Sequence, residues 1–329
     1  FIGKAFYLNN VSNSNFTDVV VNLSLDSRGF DIYGGSNNNT FDRVIIESNF
    51  TAFVIVDSTE NKIYNSVILV SSTTLTIGDG IKISNANNTV FKNLTASKPT
   101  GASLSQLFRP VAPMTNNLTI HNSFFDMVGS NSGFSITSMN GTYILNSNFT
   151  RFSVLFGSGT AGTSHYILNS TFTVRPNSAN FTVAWFFNVN VTDSNGVAIN
   201  GANSTLYNNS QGFKFSDLTG ADGFTPLENV SEYTTGTGGV TTYGNYTLNT
   251  TYSTYPVSSI SINITSSMRQ NVVFDFDPTL VNITLFPISP FTTDNLNCTF
   301  KILDNDTSTR PININVTWYR DGTFITSYY

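Results

Sequence analysis

Between Val11 and Phe172 the chain repeats one short pattern of apolar and polar positions: apolar, any residue, Asn-Ser, any residue, apolar. Val11-x-Asn13-Ser14-x-Phe16 returns as Ile63-x-Asn65-Ser66-x-Ile68, then as Ile120-x-Asn122-Ser123-x-Phe125. It returns again as Ile144-x-Asn146-Ser147-x-Phe149 and Ile167-x-Asn169-Ser170-x-Phe172. Two degenerate copies fall between, around Phe41-x-Arg43-x-x-Ile46 and around Val90 to Thr95. Anchored on the Asn position, the steps are about 22 to 30 residues, a period that signals a stacked-repeat architecture. A second phrase, Gly-apolar-x-Ile, runs between the anchors as Gly29-Phe30-Asp31-Ile32, Gly80-Ile81-Lys82-Ile83 and Gly133-Phe134-Ser135-Ile136.

This alternation predicts two short strands per period, divided by turns. An isolated pair of such strands buries little. A coil that stacks on the next at the strand spacing of about 4.8 Å buries the Ile, Phe and Val of every phrase. Asn is expected at the bend, because it tolerates left-handed backbone and its amide pairs with the Asn above. Seven anchors then make a stack about 30 Å tall.

The pattern, an apolar residue, Asn-Asn or Asn-Ser, and another apolar residue, resembles the right-handed parallel β-helix repeat family. That family includes NosD-type surface and periplasmic proteins and many pectin-degrading enzymes. The resemblance covers about residues 5 to 182 and implies a parallel β-helix domain over residues 1–182 of an all-β chain. It also divides the phrase NSNFT, which occupies both Asn13 to Thr17 and Asn146 to Thr150. Asn13 and Asn146 are expected in the ladder at the bend. Asn15 and Asn148 precede an inward Phe and are expected to face solvent.

Near Phe181 the rhythm stops. "VNVTDSNGVAINGANSTLY", Val189 to Tyr207, reads as strand, tight turn at Asp193 to Gly196, strand. With "TGADGFTPL" from Thr219 and "YGNYTLNTTY" from Tyr243, it resembles a carboxypeptidase-regulatory-like or Ig-like β-sandwich, placed at 183–277. From 278 to 329, "LNCTFKILDND" and "INVTWYRDGT" resemble two strands of an immunoglobulin-like domain, with Cys298 and Trp318 in the usual roles. That is about half a domain. It is expected to be either truncated or completed by a neighbouring chain, the second of which would make a polymer.

Composition narrows the function. Only 11% of the 329 residues are charged and the net charge is −5, so no basic face for nucleic acid is indicated. At 40% hydrophobic and 13% aromatic the chain is too apolar to be a solvated tail. No apolar run approaches the roughly 20 residues of a membrane helix. The chain starts at Phe1 without a signal peptide, so it reads as a mature or partial chain whose signal or anchor lies outside it. The single cysteine, Cys298, cannot form an intramolecular disulfide and leaves the redox compartment open.

Asn-x-Ser/Thr acceptors point to an exterior. They number 23 among 43 Asn, where chance would give about 11. The candidate glycosylation sites are Asn15, Asn22, Asn38, Asn49, Asn87, Asn117, Asn140, Asn148, Asn180, Asn190, Asn203, Asn208, Asn229, Asn245, Asn249, Asn263, Asn282, Asn305 and Asn315. Glycans would keep so weakly charged a surface soluble. Ladder Asn mostly avoid the motif: Asn13, Asn65, Asn122 and Asn146 lack it. Asn169 carries it at a ladder position and is expected to be unmodified.

Catalytic chemistry is thinly represented. Asp31, Asp42, Glu47, Asp57, Glu60, Asp79 and Asp126 are scattered, and no pair repeats at coil spacing as acid–base catalysis on a glycoside requires. Asp79, in "IGDGI", is the best single acid and reads first as a turn Asp before Gly. His121 and His165 are the only histidines and lack partners at metal-ligand spacing. Asp193-Ser194-Asn195 and Asp304-Asn305-Asp306 fall short of a full calcium loop, although calcium is the one cofactor these turns could take. Tyr233, Tyr243, Tyr246, Tyr252 and Tyr255 read either as an exposed subunit interface or as ordinary sandwich tyrosines.

The expectation is therefore a non-enzymatic, N-glycosylated extracellular protein that self-associates at a cell surface as an S-layer, filament or adhesin subunit, resembling archaeal exported proteins. A secreted polysaccharide lyase or hydrolase and a viral fibre are the alternatives.

Overall fold

In the computed structural model the chain is all-β, without a helix among the described residues. These are residues 3–23, 27–71, 79–98, 106–128, 139–151, 165–172, 180–210, 212–236, 239–253, 255, 257–276, 279–289, 294–303, 317, 319–320 and 323–324. None of their segments is a helix long and apolar enough to cross a membrane.

The first half is a parallel β-solenoid whose coils carry three strands, not the two expected. One face holds Gly3–Asn9, Ser27–Tyr33, Thr51–Val56, Ile81–Ser84 and Phe108–Pro110. A second holds Asn15–Thr17, Thr40–Asp42, Lys62–Tyr64, Val90–Lys92, Thr119–His121, Tyr143–Leu145 and His165–Leu168. The third holds Val20–Leu23, Ile45–Ser48, Val67–Val70, Thr95–Lys98, Phe124–Met127, Asn148–Thr150 and Thr171–Phe172. The extra strand was hidden in the repeat itself. Ile63-x-Asn65-Ser66-x-Ile68 contains two strands around a two-residue bend, each too short to declare its own periodicity.

Residues 63, 120, 144 and 167 do line one interior column. Ile63, Phe91, Ile120, Ile144 and Ile167 stand directly over one another, and none is more than 2% exposed. The column continues upward to Phe41 and Phe16 and downward to Val183. Phe16, not Val11, is thus the counterpart of Ile63, and the first copy of the repeat lies five residues beyond the Val11 frame. Phe16-x-Asp18-x-x-Val21 satisfies the same apolar spacing, so the pattern alone could not choose between the two frames. Consequently the two NSNFT phrases occupy different places. Asn15–Thr17 is a second-face strand and Asn148–Thr150 a third-face strand.

On the first face, Phe6, Phe30, Phe53, Ile81 and Phe108 form one column, and Leu8, Ile32, Ile55 and Ile83 another. The Gly29 and Gly80 phrases therefore stand in register, while the Gly133 phrase lies outside the described residues. Both glycines are required by close backbone approach: a Cβ on Gly29 would lie 2.5 Å from the Ala52 carbonyl oxygen, and one on Gly80 2.6 Å from that of Leu107. Aromatic rings stack along the axis, Phe16 on Phe41 at 4.9 Å and Phe125 on Phe149 at 5.0 Å. Such pairs add about 0.5–1.5 kcal/mol each beyond the area they bury.

The solenoid passes into the second half through one 13-residue strand, Phe181–Asp193. Its first residues pair in parallel with His165–Leu168 and antiparallel with Glu228–Gly236; its last pair in parallel with Met268–Phe274. A four-stranded antiparallel sheet of Phe213–Leu218, Asn203–Tyr207, Asn245–Thr251 and Ser258–Asn263 accompanies it, an arrangement compatible with a β-sandwich. Phe187, Val189, Leu206, Tyr246 and Leu248 belong to the same apolar core as the solenoid interior. The turn at Asp193 closes as expected, with the Gly196 N–H donating to the Asp193 carbonyl at 3.0 Å. The returning strand reduces to a single bridge between Thr192 and Ala198.

Farther on, Thr279–Phe286 pairs antiparallel with Asn297–Leu303, where Cys298 is half-buried. Trp318 and the Asp304 to Asp306 turn lie outside the described residues.

Candidate functional site

The bends of the solenoid are its most organised polar features. Between the second and third faces stand Asp18, Arg43, Asn65, Asn93, Asn122, Asn146 and Asn169, all with φ between 48° and 55°. In that left-handed conformation each backbone N–H reaches the coil below. Asn65 donates to Lys92, Asn122 to Leu145 and Asn169 to Ala184, at 2.9–3.0 Å. Side chains add rungs, with Asn93 Nδ2 to Asn65 Oδ1 and Asn169 Nδ2 to Asn146 Oδ1 both at 2.7 Å. In the first coils an ion pair replaces the amide rung: Arg43 holds Asp18 at 2.6 Å, and this hydrogen bond keeps the Asp18 carboxyl below its usual range.

The Ser that follows Asn65, Asn122, Asn146 and Asn169 has a role that the repeat pattern does not reveal. Its hydroxyl turns inward as a plug. Ser147 Oγ donates to the Leu145 carbonyl at 2.8 Å and accepts the Ser123 N–H at 3.1 Å. Ser66, Ser123 and Ser170 repeat the arrangement, and all four are at most 3% exposed.

A second ladder, missed in the sequence, occupies the bend between the first and second faces. Asn13, Asn38, Asn88 and Asn117 are left-handed there, with Asn38 Nδ2 donating to Asn13 Oδ1 at 2.7 Å. Behind them Asn39 and Asn61 are fully buried, and each accepts a backbone N–H from the preceding coil. The Asn-Asn-Thr run at Asn38 was the available signal.

These ladders sort the acceptor asparagines. Asn15, Asn22, Asn117, Asn140, Asn148, Asn229, Asn245, Asn263 and Asn282 are exposed. Asn38, Asn49, Asn87, Asn180, Asn190, Asn203 and Asn249 are half-buried. Asn208 is 9% exposed, and its Oδ1 accepts the N–H groups of Ser210 and Gly212. Asn305 and Asn315 lie outside the described residues. The expectation that ladder Asn avoid the acceptor motif fails at both bends: Asn38 and Asn117 belong to both sets at the newly seen one, and Asn93, which opens Asn93-Leu94-Thr95, does so at the other. At Asn169 both side-chain atoms are engaged, Nδ2 with Asn146 and Oδ1 with Ser267.

Asp79 is not a turn residue on the surface, as expected, but a buried carboxylate 4% exposed. It faces Arg109 at 3.4 Å and accepts the Gln106 N–H. Burial nevertheless raises its pKa. Nearby, Lys98 occupies an inward position beside Ala96, fully buried, and its Nζ lacks a hydrogen-bond partner among the described residues. Burial lowers the Lys98 pKa, with the Asp79 charge opposing. A low-polarity site thus drives both groups toward neutrality. Asp31, also buried, is held by Lys4 at 2.8 Å and Arg28 at 3.2 Å.

His121 and His165 do not converge. His121 is half-buried beside Lys92, and burial lowers its pKa. His165 is 4% exposed and pushed down to about 4 by burial. Among the described residues no three metal-binding side chains cluster. Asp193 Oδ1 is taken by the N–H groups of Asn195 and Val197. The tyrosines are core rather than exposed interface: Tyr233 and Tyr246 are buried, and Tyr243, Tyr252 and Tyr255 pack against the core.

No family model and no curated protein matches the sequence. A solved structure that matches is the Bacillus anthracis TIE protein, at 13% identity and a TM-score of 0.23, over 32% of this chain and 19% of that one.

Proposed function

We propose that the chain is an extracellular structural protein, a heavily N-glycosylated subunit of an archaeal-type surface assembly such as an S-layer, filament or adhesin, akin to NosD-like surface proteins. The single observation that carries this reading is the continuity of the fold. A ladder-braced solenoid runs through the strand Phe181–Asp193 into the following sheets, and one apolar core spans the passage. Such a body transmits force along its axis. The exposed acceptors Asn15, Asn22 and Asn148 lie on its sides, where glycans would shield it from lateral sheet pairing. Its work is mechanical, without catalysis or a cofactor, and its partners are copies of itself.

Electron microscopy of native material, with glycopeptide mapping, tests the proposal. A lattice or single-file filament with occupied exposed acceptors and an empty Asn169 is expected. A dispersed monomer without glycans would refute it, and trimers would favour a viral fibre.

A second reading, a secreted polysaccharide lyase or hydrolase, draws on the Asp79, Lys98 and Arg109 cluster, since shifted pKa values gather at catalytic sites. Turnover of uronate or neutral polysaccharides, abolished by Asp79→Asn, would establish it.

A further inference from the structure

The third face of the solenoid is apolar on its outer side as well as its inner one. Its upper strands carry unbroken apolar runs, Val19-Val20-Val21, Val44-Ile45-Ile46 and Val67-Ile68-Leu69-Val70. Such runs mark parallel strands covered on both sides. Val21, Ile46 and Ile68 fill the interior, while Val20, Ile45 and Val67 stand outside over one another, 40–71% exposed. The column continues through exposed Thr95 to Phe124, 37% exposed. The second face of the same upper coils turns Asn15, Thr40 and Lys62 outward instead. The apolar outer column therefore belongs to one face and marks that face for a partner.

The order of residues along this face selects a second copy of the chain as that partner. Beside the apolar column runs a second outward column, Asn22, Glu47, Leu69, Ser97 and Asp126. Two copies can pack face to face about a two-fold axis in only two ways that keep the solenoids aligned. With the solenoids parallel, each coil meets itself and the columns exchange, so Ile45 would cover Glu47 and Val20 would cover Asn22. That buries a carboxylate against an alkyl chain with nothing to pair it. With the solenoids antiparallel and the axis at the Val67 coil, like columns meet. Val20 then packs on Phe124, while Val67 and Leu69 each meet their own counterparts. Glu47 falls opposite Ser97 and Asp126 opposite Asn22, so no two carboxylates face each other.

We propose that the third face is a two-fold, antiparallel contact between two copies of this chain, centred on Val67 and Leu69. This rests on the self-assembling reading above for the identity of the partner, and adds to it a surface and a symmetry. Five coils of four-residue strands cover on the order of 300 Å² per copy, below the roughly 800 Å² per partner of a stable dimer. The contact is weak by itself and gains its effect inside an assembly, where each copy is held at several contacts at once. Asn22 opens the acceptor Asn22-Leu23-Ser24 within the footprint, so a glycan there and a paired copy exclude each other. Asn148, one coil beyond Phe124, falls past the first coil of the partner and is free to carry one.

The test is chemical cross-linking of the full chain in a Cys298→Ser, Asn22→Gln background, which removes the native thiol and the blocking acceptor. With a short bis-maleimide, Val67→Cys should give several-fold more covalent dimer than Thr17→Cys, which is exposed on the second face. Val20→Cys and Phe124→Cys should link to each other when mixed and neither to itself, and adding Val67→Asp, which sets two carboxylates against each other on the axis, should abolish that link. Equal yields from Val67→Cys and Thr17→Cys would mean random collision and overturn the inference. Self-linking of Val20→Cys in place of linking to Phe124→Cys would overturn the antiparallel arrangement. With Asn22 restored and a glycosylating host, its glycan should be depleted from the Val67→Cys dimer; equal occupancy in dimer and monomer would overturn the footprint. A lattice or filament in electron micrographs without the Val67→Cys link would overturn this contact and leave the assembly reading standing, whereas neither assembly nor link would overturn both.

Discussion

Ser147→Ala tests the account of the bends most directly. The Ser147 hydroxyl is buried and serves two backbone groups, accepting from the Ser123 N–H at 3.1 Å and donating to the Leu145 carbonyl at 2.8 Å. After the substitution the carbonyl still accepts the Asn122 N–H at 3.0 Å, so its loss is small. The Ser123 N–H has no such alternative and is left unpaired inside the stack. Leaving a buried donor unsatisfied costs about 1–3 kcal/mol, and that is the expected loss. Ser14 is the control, because Asn13-Ser14 and Asn146-Ser147 open the same five-letter phrase. The Ser14 hydroxyl makes only an exposed bond to Ser12 at 3.4 Å, so Ser14→Ala should cost less than about 0.5 kcal/mol. Urea unfolding of both variants measures the difference. Hydrogen exchange locates it, since the Ser123 amide should exchange faster while the coils above Asn65 are unaffected. Equal stability of the two variants, or unchanged exchange at Ser123, would refute the plug.

Asn122 has φ 50°, so Asn122→Val should be roughly 1–2 kcal/mol less stable than Asn122→Gly by denaturant midpoint. Lys98→Met should stabilise the protein by about 1–3 kcal/mol, because it replaces a buried, unpartnered amine with an apolar chain of similar length; a loss would show that the amine has a partner. His165 is held neutral with its pKa near 4, against about 6.5 unfolded, so the unfolded chain binds the extra proton first as pH falls. Stability from this group is complete above pH 6.5 and falls by up to about 3 kcal/mol on descent to pH 4. His165→Gln should flatten that part of the urea midpoint profile relative to wild type, and an unchanged profile would contradict the assigned burial.

Much of the first half was legible because solenoid packing repeats a one-dimensional code. Ile63, Ile120, Ile144 and Ile167 recur at the coil period because each must cover the one below, and composition alone excluded helices. Asn was readable at the bends because few side chains accept left-handed backbone. Register at Val11 against Phe16 was not legible, since both frames place apolar residues inward, and only pairing with Phe41 chooses between them. The third strand escaped because three residues carry no measurable periodicity. Burial of Asn39, Asn61, Asp79 and Lys98 escaped as well: a polar residue's exposure depends on what the neighbouring coils place over it, and those neighbours lie 20 to 30 residues away. The sequence thus determined that the chain coils and where it bends. Tertiary structure alone decided which polar groups those bends enclose, because enclosure belongs to the stack and not to any one coil.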